Sequence, residues 1–206
     1  MGINQFDPSL YTLEYIPQKL RALDACIIAC YSVLTRSVED NELKFNLKET
    51  TFHQNDINLF VELAIDAGLI ANRTLLNFMG IKLADGGLVN ADYALNITEF
   101  ELSHIEVSEA TEILSGQLSA CNLEDVWVEA LSAASKSIAH FTKQGSQIRV
   151  ARLGYACYAT SMLVRKHFLE ISDEVGEIPT SILPNEVIPK VGSVWDNVDP
   201  SINLYC

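Results

Sequence analysis

Apolar residues stand on nearly every side of the stretch from Lys19 to Arg36: Leu20, Leu23, Cys26, Ile27, Cys30, Tyr31, Val33 and Leu34. A helix that is apolar all round is surrounded by protein. The segment therefore predicts a central helix, with Pro17 at its first turn, where a missing N–H costs nothing. Between 43 and 48 the period falls to two, because Leu43, Phe45 and Leu47 alternate with Lys44, Asn46 and Lys48. That spacing predicts a short strand. A weaker echo at Phe100, Leu102 and His104 offers a partner, and the two would form a small two-stranded β ribbon beside the helices. The other reading is a pair of irregular connections that bury alternate side chains.

Thr51 with Gln54 has the pattern of a capping box, and Ile57, Phe60, Val61, Ala64, Ile65 and Gly68 follow at helical spacing. The stripe continues through Asn72, Leu75, Leu76 and Met79, which predicts one long helix over about 52–79 that Gly68 could divide. Asp85-Gly86-Gly87 predicts a turn. Ser108 precedes a short helix to about Leu118, and Asn122 caps another, whose first turn holds Glu124 and Asp125 where the helix dipole favours anions. Leu123, Trp127, Ala130, Leu131, Ala134, Ile138 and Phe141 form one apolar face there, and Gly145 ends it.

From Ser146 to about Ser172 the sequence predicts a second central helix with two apolar faces, in which Ala151, Gly154 and Ala159 permit close approach of neighbours. After Gly176 four of the six prolines fall at 179, 184, 189 and 200. Proline at this density excludes a long helix, yet Ile182, Leu183, Val187, Ile188, Val191, Val194 and Trp195 are too apolar for a solvated tail. The reading is an all-α protein: a helical bundle of about five helices over 1–178, with a small β ribbon, and a Pro-rich apolar arm over 179–206 packed on the bundle or on a partner subunit.

Charge narrows the function classes. With 14 Lys plus Arg against 27 Asp plus Glu, the chain carries −13 at pH 7, and too few cations remain to displace counterions along a nucleic-acid backbone. DNA binding is disfavoured. The longest weakly polar run, Ala25 to Leu34, is about half of the ~20 apolar residues a bilayer span requires, so no membrane association is expected. The first residues lack a cationic segment followed by an apolar stretch and a cleavage site, which predicts cytoplasmic residence. Cys26 and Cys30 are one helical turn apart, but no second Cys or His pair flanks them. Core packing is expected of them, with no metal and no cofactor.

Two short strings carry the candidate chemistry: Arg73-Thr74-Leu75-Leu76-Asn77-Phe78 and Lys136-Ser137-Ile138-Ala139-His140-Phe141-Thr142. An R-x-L-x-x-F helix, an acidic segment at Asp92-Tyr93 and a K-x-x-A-H-[F/L]-T helix together resemble a group of bacterial helical proteins, with a more distant similarity to HEPN-type helical domains. The resemblance covers about residues 55–145. It implies a fold more than a reaction, because HEPN-type ribonucleases pair an arginine and a histidine on one helix, whereas here Lys136 stands one turn before His140 and Arg73 is elsewhere. Arg73, Asp92, Lys136 and His140 are the candidate catalytic residues if the protein is an enzyme. In that case His140 would exchange a proton near neutral pH and Arg73 would clamp an anion. At 100° per residue Arg73 falls beside Glu62, Asp66 and Asn77, away from the apolar stripe, so two separately solvated faces are the competing picture. His53, His104 and His167 are read as structural or solvated.

The expected function is a non-enzymatic interaction module, homodimeric or bound to a protein partner. The alternative is a HEPN-like ribonuclease or nucleotide-handling enzyme, the one reading that admits RNA. A third possibility, a small-molecule binder between helices, rests on Tyr155 and Tyr158.

Overall fold

The computed structural model describes residues 7–35, 42–54, 56–91, 95–115, 122–138, 147–170 and 203–205. Its first helical run starts at Asp7, whose carboxylate accepts the Ser9 amide at 3.0 Å and caps α1 (Pro8–Leu10). The run passes directly into a π turn, Tyr11–Tyr15, and then into α2 (Ile16–Thr35). Pro17 therefore sits within a helical run and not at its start. It has no N–H to return to the preceding turn, and that turn is widened, with the Ile16 N–H reaching five residues back to the Tyr11 carbonyl.

β1 (Leu43–Leu47) keeps the predicted period of two, but its partner is the adjacent β2 (Thr50–Gln54), in a hairpin that pairs Leu47 with Thr50. Thr51 and Gln54 are thus strand residues, and so is His53. A neighbouring strand supplies more hydrogen bonds than one cap can. α3 (Asn58–Phe78) begins later, where Asp56 Oδ1 accepts the Asn58 amide at 2.9 Å. Phe100, Leu102 and His104 make no strand either: Phe100 ends a 3-10 turn, Ile97–Phe100, and the other two lie in the link after it. Gly68 does not divide α3. A Cβ there would lie 2.3 Å from the Cys26 Cβ, so the glycine is the point at which α2 and α3 cross.

β3 (Ile81–Ala84) and β4 (Gly87–Asn90) form a second hairpin. Asp85 and Gly86 take φ of 51° and 82° in its turn, the positive values that a two-residue hairpin loop of matching twist requires. α4 (Val107–Ser115) and α5 (Leu123–Ala133) follow, the latter capped by Asn122 through the Glu124 amide at 3.2 Å. α5 continues into a π turn, Ala134–Ile138. The last helix starts a few residues later than its pattern suggests, because β5 (Gln147–Arg149) pairs with β6 (Asn203–Tyr205) before α6 (Val150–Leu163) and its π extension, Val164–Leu169. The end of the arm is therefore laid against its own chain. The rest of 179–202 lies outside the described residues.

The result is a mostly helical bundle with small antiparallel ribbons at its edge. α2, α3 and α6 pack on one another, and α5 closes against α3 and α6. α6 buries ten of its 14 residues, which fits its expected two-sided character; Leu23, Ile27, Ala29 and Cys30 of α2 are fully buried beside it. Where α3, α5 and α6 meet, the core is polar. The Trp127 indole Nε1–H donates to Thr160 Oγ1 at 3.0 Å, and the Thr160 hydroxyl donates to Asn72 Oδ1 at 2.7 Å. Nearby, Phe78, Phe100 and Phe168 pack edge to face with centroids 4.9–5.8 Å apart, a favourable geometry for aromatic rings.

Cys26, Cys30 and Cys157 are buried in this core as thiols, as expected of packing residues. Cys157 hydrogen-bonds Cys26 across the α2–α6 contact, and that bond together with burial pushes its thiol well above the usual range. Asp24 is also buried, and its charge supports the half-buried Arg165, whose pKa burial lowers. Among the described residues no helix is long and apolar enough to cross a membrane.

Candidate functional site

The π turn decides which side chains the first helical run shows to α3. Thr12 is buried and its hydroxyl donates back to the Ser9 carbonyl at 3.1 Å, which leaves Tyr11 and Tyr15 on the outer side, edge to face at 5.1 Å. Between these rings and the last turns of α3 lies a cavity of about 480 Å³. Ile16, Leu75, Phe78 and Leu95 contribute apolar surface to it. Because Phe78 is wedged against Phe100 and Phe168, this part of the wall is set by the core.

Lys19, Arg73, Thr74 and Asn77 are the polar lining. Arg73 is exposed and Lys19 half-buried, and among the described residues neither takes a carboxylate partner, unlike Lys44, which pairs with Glu42, and Arg152, which pairs with Glu129. The Thr74 hydroxyl is committed to the Ile70 carbonyl at 2.8 Å. Two of its apolar lining residues are in contact with water, Tyr15 at 45% exposed and Ile70 at 42%, and Leu63, two turns before Ile70 on the same side of α3, is 73% exposed.

Of the four candidate residues, Arg73 lines this cavity, on the same exposed side of α3 as Glu62 and Asp66. Lys136 is exposed on the π turn Ala134–Ile138. That turn packs on α3, and its first residue, Ala134, lines the cavity with Arg73. The two helices that carry the strings are thus neighbours. Asp92 and His140 lie outside the described residues. The tyrosines that suggested a small-molecule site are not part of this cavity: Tyr155 is buried and Tyr158 half-buried in α6, where burial raises the phenol pKa.

Sequence reading missed Tyr11, Tyr15, Lys19 and Ile70. One signal was available. Leu59, Leu63 and Ile70 are apolar at helical spacing on the face opposite the buried stripe, and a second apolar face on a helix marks a surface to be covered.

As built, the site can bind. It offers an apolar recess within the ~300–1,000 Å³ range of pockets that enclose small organic ligands, two cations and an aromatic rim. Two π segments among the described residues, Tyr11–Tyr15 and Ala134–Ile138, each contribute to the lining of this recess, and π turns occur often at functional sites. Among the described residues no group of three or more His, Cys, Asp or Glu side chains could hold a metal ion. No family model, no curated protein and no solved structure matches this chain.

Proposed function

We propose that this chain is a non-enzymatic interaction module that recognises its partner through the cleft between residues 11–19 and the last turns of α3. The observation that carries the reading is the open apolar recess itself, lined by the exposed Tyr15 and Ile70. Apolar surface at a concave site supports binding, and the helices beneath it pack into the buried core. A second copy of the chain is one candidate partner, and sedimentation of the full chain at rising concentration reads it out.

The test fills the cleft. Thr74→Trp places an indole in the recess from an exposed helix position, with little effect on the core. A thermal-shift screen of small molecules and peptides against the full chain should yield binders whose shift disappears in Thr74→Trp. Shifts that all survive the substitution would put recognition elsewhere and defeat the proposal.

A second reading, the HEPN-like ribonuclease, is favoured by one observation: Arg73 and Ala134, two residues before Lys136, line the same cavity. Under it, RNA cleavage by the full chain should vanish in both Arg73→Ala and His140→Ala. Cleavage equal in the wild type and both variants would remove this reading.

A further inference from the structure

We infer that the cleft takes an amphipathic monoanion, a carboxylate on an unbranched hydrocarbon chain, with its head between Lys19 and Arg73 and its tail along Ile16, Leu75 and Phe78. The inference rests on the cleft being a recognition surface, as proposed above, and names the chemistry it recognises.

Three observations select this class. The recess is mainly apolar and about 480 Å³, so the ligand brings a hydrocarbon body that gains by leaving water. Among the described residues the cavity lining includes two cations and no acid. In a chain with only 14 Lys and Arg and a net charge of −13, two cations on one cavity, without carboxylate partners among the described residues, mark a place for an external anion. Arg73 supplies a planar fork suited to a carboxylate, while Lys19 supplies a point charge.

The anion is singly charged because of its surroundings. Arg73 and Thr74 lie in the last turns of α3, and unsatisfied carbonyls give a helix C-terminus a partial negative charge. A phosphate or nucleotide would meet that end of the dipole, together with the overall negative field of the protein, and would find no fan of backbone N–H donors of the kind a helix N-terminus provides. A carboxylate needs only the two side chains. Tyr11 and Tyr15 then stand over the tail at the opening.

Decanoate, kept below its micellar concentration, is the probe, and decanol is its neutral counterpart. Calorimetric titration of the full chain should give one-to-one binding of decanoate, and decanol should bind roughly tenfold more weakly, the loss expected for a missing charge-assisted hydrogen bond. Arg73→Gln at an exposed position and Lys19→Gln at a half-buried one should each weaken decanoate by a similar factor and leave decanol unchanged. Lys44→Gln, whose lysine pairs with Glu42 away from the lining, should change neither. Circular dichroism confirms that each variant is folded.

Failure of this inference is separable from failure of the cleft reading. If decanol and decanoate bind equally, and both are lost in Thr74→Trp, the cleft stands and the anion selectivity is wrong. Decanoate binding that survives Thr74→Trp overturns both. No decanoate binding at all overturns the inference.

Discussion

The hydroxyl of Thr160 joins three helices, and replacing it tests whether the polar centre of the core is integral to the fold. It accepts from Trp127 Nε1 at 3.0 Å and donates to Asn72 Oδ1 at 2.7 Å, and all three residues are at most 1% exposed. Thr160→Val keeps the shape and removes both bonds. The indole N–H can only donate, so it is left buried without an acceptor. Asn72, whose Nδ2 already finds no partner among the described residues, loses its bond to Thr160. Each buried orphan costs about 1–3 kcal/mol. Part of this is offset because a hydroxyl no longer has to be desolvated, leaving a net loss of roughly 2–4 kcal/mol. Thr160→Ser, which keeps the hydroxyl and drops one methyl group, should cost only about 1 kcal/mol. Urea unfolding monitored by Trp fluorescence and circular dichroism gives both values from the midpoint at constant slope. A double-mutant cycle adds a sharper check: Trp127→Phe should cost less in the Thr160→Val background, because the orphaned N–H is gone. If Thr160→Val lies within ~0.5 kcal/mol of wild type, or matches Thr160→Ser, the relay is decoration and the argument fails.

Gly68→Ala should lower the melting temperature although alanine is the better helix former by about 1 kcal/mol, because the new Cβ meets the Cys26 Cβ and forces α2 from α3; a rise in melting temperature would contradict the close crossing. Alkylation mapped by mass spectrometry should leave Cys26, Cys30 and Cys157 unmodified in the native protein and label them after denaturation; native labelling at any of the three would show that the core is misdrawn. Asp7 is held below its usual carboxylate pKa by the Ser9 hydroxyl and by the amides of Ser9 and Leu10. A depressed folded pKa means its cap is complete above the unfolded value and lost as pH falls through the folded one. The Ser9 amide should accordingly exchange faster only in that acid range, and an Asp7→Asn variant should show a weaker dependence. Deleting residues 203–206 should speed amide exchange at 147–149, which pair with β6; unchanged exchange would dissociate the end of the arm from the bundle.

Much of the bundle was legible because burial writes itself as period. Leu23, Ile27 and Cys30, or Leu69, Leu75 and Leu76, are apolar for a reason that depends only on helix geometry, and Asn122 announces its helix through a local bond to Glu124. Partnering was less legible. Phe45 alternates correctly but pairs with Phe52 in the adjacent strand, a choice set by the shortest loop and invisible to the alternation. Thr51 shows the same weakness, since a hydroxyl followed three residues later by an amide suits a cap or a strand equally. At the site, Arg73 was found through its string, and its exposure follows from its phase on α3. Tyr11 and Tyr15 were missed because a π turn shifts the phase of everything before Ile16, and no residue pattern marks that shift; Lys19 was missed because its role depends on α3 packing beside it. Asn72 was read as one of an apolar row, and its bond to Thr160, 88 positions away, belongs to the tertiary structure alone.

The Tyr11–Tyr15 turn also bears on how this surface can vary. Its bonds reach one residue farther back than those of an α-helix, so it amounts to a single inserted residue stored in the helix. Taking one residue out within the turn would restore the ordinary winding and leave the upstream residues in register, whereas rewinding it with every residue kept would swing everything upstream by about 100° and carry Tyr11 off the cleft. Pro17 and the α2 residues after it would not feel either change, since their packing is anchored on the far side of the turn. The chain thus separates a dial from its mounting: the winding of this one turn aims the rim of the cleft while the α2–α3–α6 core keeps its register.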